Sequence, residues 1–361
     1  MTSEKSNVTL GCIEKCEETW ALESRYFPSK VGGRPAWLDL KNINVDVSCT
    51  ICSDPCLFLC QIYAPIDSQP SAYHRTIFVF VCKNPNCCKS NSNNNFKVFR
   101  CQLPLVNDYY PPEEPTDDPD WSTDSKVEKF NDICHVCGCL GSYQCSKCKL
   151  IKYCSKSHQV FDWKTNHKNI CNSVVTTTPT PENSNNTFNL LFPEYEIIEE
   201  EEEEEKCDDS DENITESKTE EKKSYKERFN DLKQLLEEGN LQNASDDLLM
   251  DLDNGKEYKY LKHFKTKLKL VPDQVVRYDR GGTPLWISEP KYSNEDIPFC
   301  EACMGPRQFE FQILPTLLSY LDVDKLDDSL DWGNLLIYTC KNNCDEGPAY
   351  KKEFLWKQDL T

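Results

Sequence analysis

Eight side chains able to bind a metal fall in one short stretch: Cys134-x2-Cys137-x7-Cys145-x2-Cys148-x5-Cys154-x3-His158-x8-His167-x3-Cys171, all within 38 residues. Zinc takes four soft or borderline ligands in a tetrahedron, so two CxxC turns and two Cys/His pairs supply enough for two ions. If Lys156 to Ile170 is helical, Cys154 and His158 share one face at its start. His167 and Cys171, also four apart, share one at its end. The two histidines are nine residues apart, or about 900° of helical rotation, which puts them on opposite faces and on different ions. The expectation is a cross-brace. Cys134, Cys137, Cys154 and His158 hold one zinc, and Cys145, Cys148, His167 and Cys171 the other.

The elements that must carry further ligands occur twice. Gly32-Gly33-Arg34-Pro35-Ala36-Trp37 matches Gly281-Gly282-Thr283-Pro284-Leu285-Trp286, and each is followed by a CxxC, Cys49 to Cys52 and Cys300 to Cys303. Nine residues after the second cysteine of each stands a glutamine in a strand-like run, Gln61 and Gln312. A second such run ends in Cys82-Lys83-Asn84 and in Cys340-Lys341-Asn342, and each copy then adds a cysteine: Cys87 or Cys88, and Cys344. Four thiols on a strand pair close one tetrahedral site and staple a sheet too small to be stable alone. The expected outer sites are therefore Cys49, Cys52, Cys82 and Cys87, with Cys88 an alternative to Cys87, and Cys300, Cys303, Cys340 and Cys344. The competing reading makes these cysteines small core hydrophobes. Cys56, Cys60 and Cys101 have no matching partners and read as core thiols. The Gly-Gly-x-Pro-x-Trp loops read as scaffold, glycine supplying positive φ and the indole an anchor. His74 and His263 lack local partners and read as structural.

With 361 residues, the chain has room for two or three domains. Its amino terminus has no apolar leader, and nowhere do eighteen apolar residues run together. The 22 cysteines are thus expected in a reducing compartment, as zinc ligands and free thiols. Net charge is −20 and uneven: Glu194 to Lys223 holds 16 acidic and 4 basic residues, a net of −12 that leaves −8 elsewhere. That balance argues against phosphate-backbone binding and for a basic protein partner, while the run also reads as a solvated linker. Composition divides the chain into an N-terminal β module (8–109), a Pro/acidic linker (110–129) and a zinc finger (130–173). A disordered acidic linker (174–224), amphipathic helices (225–270) and a C-terminal β module (271–361) follow. In the helical stretch, Phe229, Leu232, Leu235 and Leu236 share a face, as do Leu261, Phe264 and Leu268, and Pro272 stops the second helix. The expected fold class is α+β. A duplicated, mostly-β, zinc-stapled module flanks the cross-brace finger.

The finger's spacing, with Tyr153-Cys154-Ser155-Lys156 and Asp162-Trp163 ahead of His167-x3-Cys171, resembles the MYND zinc finger. Over nearly its full length the chain resembles the programmed cell death protein 2 family. The residues that carry this are Phe27-Pro28-Ser29-Lys30-Val31-Gly32-Gly33-Arg34-Pro35-Ala36-Trp37-Leu38, Gln61-Ile62-Tyr63-Ala64-Pro65, Leu191-Phe192-Pro193-Glu194-Tyr195-Glu196, Asp331-Trp332-Gly333 and Trp356-Lys357-Gln358-Asp359. The resemblance implies a cytoplasmic and nuclear protein that acts as a dedicated chaperone for a basic small-subunit ribosomal protein and supports maturation of that subunit. MYND fingers more generally dock proline-containing peptides.

Three classes of function compete: a client-shielding binder, a MYND-bearing enzyme and an adaptor in transcriptional or cell-death regulation. The chain has no phosphate loop, GxSxG or HExxH, and each expected metal site has four protein ligands, which closes it to water. A non-enzymatic binder is therefore expected, with neither nucleic acid nor membrane as a direct partner. The client is expected against the outer modules, at strand edges and apolar pockets near Trp37 and Trp286.

Overall fold

The computed structural model describes residues 8–171, 190–202, 256–290, 294–323 and 330–360. The expected helix at 225–238 and most of the expected acidic linker lie outside these residues. In chain order the strands are β1 (Thr9–Glu14), β2 (Lys30–Val31), β3 (Leu57–Tyr63), β4 (His74–Val81), β5 (Phe96–Leu103), β6 (Tyr143–Gln144), β7 (Lys152–Tyr153), β8 (Tyr195–Glu201), β9 (Gln274–Tyr278), β10 (Arg307–Ile313), β11 (Asn334–Cys340) and β12 (Tyr350–Gln358). Among the described residues the α-helices are α1 (Lys156–Asp162), the single turn α2 (Lys168–Ile170) and α3 (Lys256–Leu270). Among the described residues no helix is long and apolar enough to cross a membrane.

Ten strands close into one barrel in the order β1-β8-β2-β3-β4-β5-β12-β11-β10-β9. Two small separate sheets were the expectation. Instead β5 pairs antiparallel with β12, Cys101 opposite Tyr350, and β1 pairs with both β8 and β9. The physical reason is that a short meander leaves unpaired backbone at its edges, and each half covers the other's. The run His74-Arg75-Thr76-Ile77-Phe78-Val79-Phe80-Val81 is buried on both faces, which suits its β-branched and aromatic content. By the strand period of two, Ile77, Val79 and Val81 join the interior cluster with Phe311, Ile313, Leu335 and Ile337. Phe78 and Phe80 point out into a second cluster with Trp37 and the finger.

The acidic run begins inside the barrel, not in a linker as composition suggests. Strand β8, mostly glutamate, lies between β1 and β2, with Ile197 buried opposite Ile13. Hydrogen bonds on both edges of β8 outweigh the poor strand preference of glutamate.

Gln61 and Gln312 do the same job at matching places. Gln61 accepts from the Ala36 amide at 2.9 Å and donates to the Ala36 carbonyl at 3.3 Å; Gln312 accepts from the Leu285 amide at 2.7 Å and donates to its carbonyl at 3.1 Å. Each glutamine thus braces the Pro-x-Trp loop of its own half. Both follow a bulge, between Phe58 and Cys60 in β3 and between Phe309 and Phe311 in β10.

Charge is buried inside the barrel as well. Arg75 of β4 holds Glu310 of β10, a strand it does not adjoin, through two bonds of 2.7 and 2.9 Å, and both side chains are fully buried. Tyr278 donates to the same carboxylate at 2.8 Å, and Thr339 also donates to it. Burial alone would raise the Glu310 pKa, but Arg75 outweighs it and holds the group ionised.

Candidate metal centres

The structure brings the candidate ligands together in four sets: Cys49, Cys52, Cys82 and Cys87; Cys134, Cys137, Cys154 and His158; Cys145, Cys148, His167 and Cys171; Cys300, Cys303, Cys340 and Cys344. Within each set all ligand atoms lie within 4.8 Å of one another. A tetrahedron with Zn–S near 2.3 Å has sulfur–sulfur edges of about 3.8 Å. The measured separations are 3.6 Å for Cys52–Cys82, 3.7 Å for Cys300–Cys344, 3.6 Å for Cys303–Cys340, 3.5 Å for Cys137–Cys154 and 3.8 Å for Cys145–Cys171. A disulfide needs about 2.05 Å, so the thiols are spaced for a shared ion.

Each CxxC is a turn of one design. The residue after the second cysteine is left-handed: Ser53 (φ 63), Gly138 (φ 73), Lys149 (φ 60) and Met304 (φ 56). Its amide donates to the carbonyl of the first cysteine, at 3.0, 3.0, 2.9 and 2.9 Å respectively. This turns both thiols of the pair toward one point.

The remaining ligands come from other elements. In the finger, β7 ends at Tyr153 and Ser155 caps α1, its hydroxyl accepting from the His158 amide at 3.2 Å. His158 presents Nδ1 to Cys134 and Cys154, and His167 presents Nε2 to Cys148 at 3.5 Å. The helix expected over 156–170 is interrupted: Trp163–His167 forms a wider π turn between α1 and α2. Such single turns re-aim a functional side chain, here His167. Outside the finger, Cys87 joins the first outer set, while Cys88 donates to the Asp331 carbonyl at 3.1 Å instead.

Electrostatics argue for a cation at these sets. In each, one thiol is driven below its ordinary pKa and at least one other above it. Backbone amides of Leu150 and Ile151 lower Cys148 against the opposing effect of burial, and the Gly305 amide lowers Cys303. Burial raises Cys87 and Cys171, each to about 11. Three or four thiols this close cannot all ionise without a positive charge among them. Cys56 and Cys101, by contrast, belong to no set and are pushed to about 12 by burial.

The finger is docked on the barrel, which sequence reasoning missed. Trp37, fully buried, donates to the Gly138 carbonyl at 2.7 Å, and Arg34 donates to the carbonyls of His135 and Val136. A side chain on Gly138 would strike Arg34. Trp37 therefore lines no open pocket, because the finger covers it. Nor are strand edges available, since the described barrel is closed. A cavity of about 200 Å³ does lie beside Thr283, Pro284 and Leu285, next to Trp286. His74 also has a partner, Tyr63, at 3.0 Å, which lies eleven residues before it.

Three known domains match the chain: the Programmed cell death protein 2 N-terminal domain over residues 7–117, the MYND finger over 134–171 and the Programmed cell death protein 2 C-terminal domain over 258–359. Programmed cell death protein 2 of Bos taurus is 40% identical over 371 residues, covering 100% of this chain and 99% of that protein. The chain belongs to the programmed cell death protein 2 family. The Rattus norvegicus member is 38% identical over 98% of this chain and 97% of its own length. A more distant relative, the probable 20S rRNA accumulation protein 4 of Schizosaccharomyces pombe, is 22% identical over 87% of each chain. No solved structure matches. For this family member, the MYND finger and the tetrahedral cysteine sets make zinc the cofactor.

Proposed function

We propose that this protein is a non-enzymatic, zinc-stapled escort for a basic small-subunit ribosomal protein, acting in cytoplasm and nucleus. The carrying observation is the relative named for 20S rRNA accumulation, set beside a net charge of −20. A newly made ribosomal protein carries basic surfaces meant for RNA and aggregates until they are covered. A strongly acidic binder covers them by complementary potential. The cavity lined by Pro284, Leu285 and Phe309 beside Asp279, Lys267 and Arg277 is a recess of mixed character that adds specificity to charge. Depleting the protein is expected to lower the soluble level of one small-subunit ribosomal protein before mature subunits fall. A normal level with altered subunit maturation, or with altered transcription alone, overturns this reading.

A second reading, an adaptor that docks proline-containing peptides, is favoured by the finger's outer face, where Tyr143 and Leu150 are 52% and 55% exposed. Replacing both with alanine separates the two. The escort retains its client, whereas the adaptor loses its partner.

We also read residues 8–109 and 271–361 as two copies of one β module, each with its own zinc, beside a finger at 130–173 that holds two. The matched CxxC turns, bulges and bracing glutamines support this. Elemental analysis is expected to give about four zinc ions per chain by the four-ligand rule. Two ions would remove the outer sites.

A further inference from the structure

The two outer cysteine sets differ from the finger in what holds their ligands. The finger's contacts among ligands all fall within residues 134–171. In each outer set, two thiols come from a CxxC turn and two from the end of a strand and the loop that follows it, at β4 in one half and at β11 in the other. Both closing loops are gripped by the opposite half of the chain.

On the first closing loop, Cys88 donates to the Asp331 carbonyl at 3.1 Å, and Lys357 donates to the Lys89 carbonyl at 3.2 Å. The Asn91 amide donates to the Asp359 carboxylate at 2.7 Å and the Asp359 amide returns a bond to the Asn91 side chain at 2.9 Å. On the second, the Asn343 carbonyl accepts from Gln69 at 3.0 Å and from Gln102 at 3.1 Å, and Arg100 donates to the Cys344 carbonyl at 3.2 Å. Partners on both loops lie more than 240 residues away.

We propose that the Cys49/Cys52/Cys82/Cys87 and Cys300/Cys303/Cys340/Cys344 sets are zinc sites coupled through barrel closure, each ion being retained only while the other half holds its closing loop. The proposal rests on reading the outer sets as zinc sites. An ion at one site orders its loop and so favours the closed barrel. A closed barrel supplies the grip that the other site needs. Linkage then requires the effect to be mutual, with typical factors between about 5 and 150. The two finger sites lie outside this loop of dependence and serve as an internal control.

The test is zinc retention by the full chain under chelator competition, counted by native mass spectrometry. Cobalt substitution assigns the sites, since the outer ones offer four sulfurs and the finger's offer three sulfurs and one nitrogen. Cys344→Ser is expected to lose its own ion and to weaken retention at the first outer site about tenfold or more, while both finger ions stay. Gln69→Ala with Gln102→Ala leaves every ligand in place, and is expected to weaken the second outer site and, through it, the first. Should Cys344→Ser prevent folding, this ligand-intact pair decides. A wild-type chain with only two ions overturns the zinc reading. Four ions, with the first site's affinity unchanged by either variant, overturns the coupling and leaves the zinc reading standing.

Discussion

Gln61 and Gln312 concentrate much of the barrel's local order in single side chains. Each satisfies both polar groups of a buried loop residue, Ala36 or Leu285. Gln61→Leu takes the partner from one donor and two acceptors, the Ala36 amide and the Ala36 and Pro28 carbonyls, at about 1 to 3 kcal/mol each. Gln312→Leu is expected to cost less, because the Leu285 carbonyl keeps its bond from Asn334 at 2.9 Å, and urea unfolding of the two variants checks this. His74 gives the pH dependence. Its ring stacks on Phe27 at 4.2 Å and bonds Tyr63, and burial lowers its pKa to about 4. The unfolded chain therefore binds a proton, near pH 6.5, that the folded chain refuses until about pH 4. Stability from this group is full above about 6.5 and is lost as pH falls through that window. His74→Phe is expected to flatten the corresponding part of the curve of unfolding midpoint against pH.

At the scale of elements, the first CxxC turn of the finger and the Pro-x-Trp loop of the barrel form one packed unit. Trp37 fills the gap between Phe78, Phe80 and Tyr350, with ring centroids at 5.3, 5.9 and 5.2 Å. Trp37→Phe keeps most of the packing but loses the bond to Gly138, about 1 kcal/mol. Trp37→Ala also empties a fully buried site, about 3 to 5 kcal/mol. Since the finger's ligands are its own, the alanine variant is expected to free the finger from the barrel with its zinc still bound. Faster, independent tumbling of residues 134–171 by NMR relaxation, with an unchanged finger zinc count, is the measurement.

Closure makes the ten barrel strands one sheet whose halves are joined by β5–β12 pairing at one seam and by β1 at the other. The Arg75–Glu310 pair ties the halves across the interior. Glu310→Gln leaves a buried guanidinium without its counter-charge and is expected to lower stability by about 3 to 5 kcal/mol. Replacing Arg75 and Glu310 together with leucine is expected to recover only part of it, by thermal unfolding: the unpaired guanidinium is gone, but Tyr278 and Thr339 lose their acceptor and Arg280 its ion pair. Neither half, expressed alone, is expected to give a cooperative transition, since each exposes an unpaired edge.

The finger was legible in the sequence because its chemistry is local: ligand spacing and helical rotation together sort eight side chains into two sets. The four strands β3, β4, β10 and β11 were legible too, and Cys82 and Cys340 could be matched because each ends an apolar run followed by Lys-Asn. Composition misplaced Tyr195–Glu201, since seven residues with four glutamates read as solvated until two neighbouring strands offer hydrogen bonds. Nothing local distinguishes Cys87 from Cys88; a carbonyl at Asp331, far along the chain, draws one thiol aside. Likewise Trp37 reads as an anchor, but only the folded chain puts Gly138 over it. What residue type and short spacing determined were the metal chemistry and the two strands beside each outer cysteine set. Tertiary structure decided that the two outer segments share one barrel, since backbone left unpaired at a sheet edge finds its partner hundreds of residues away.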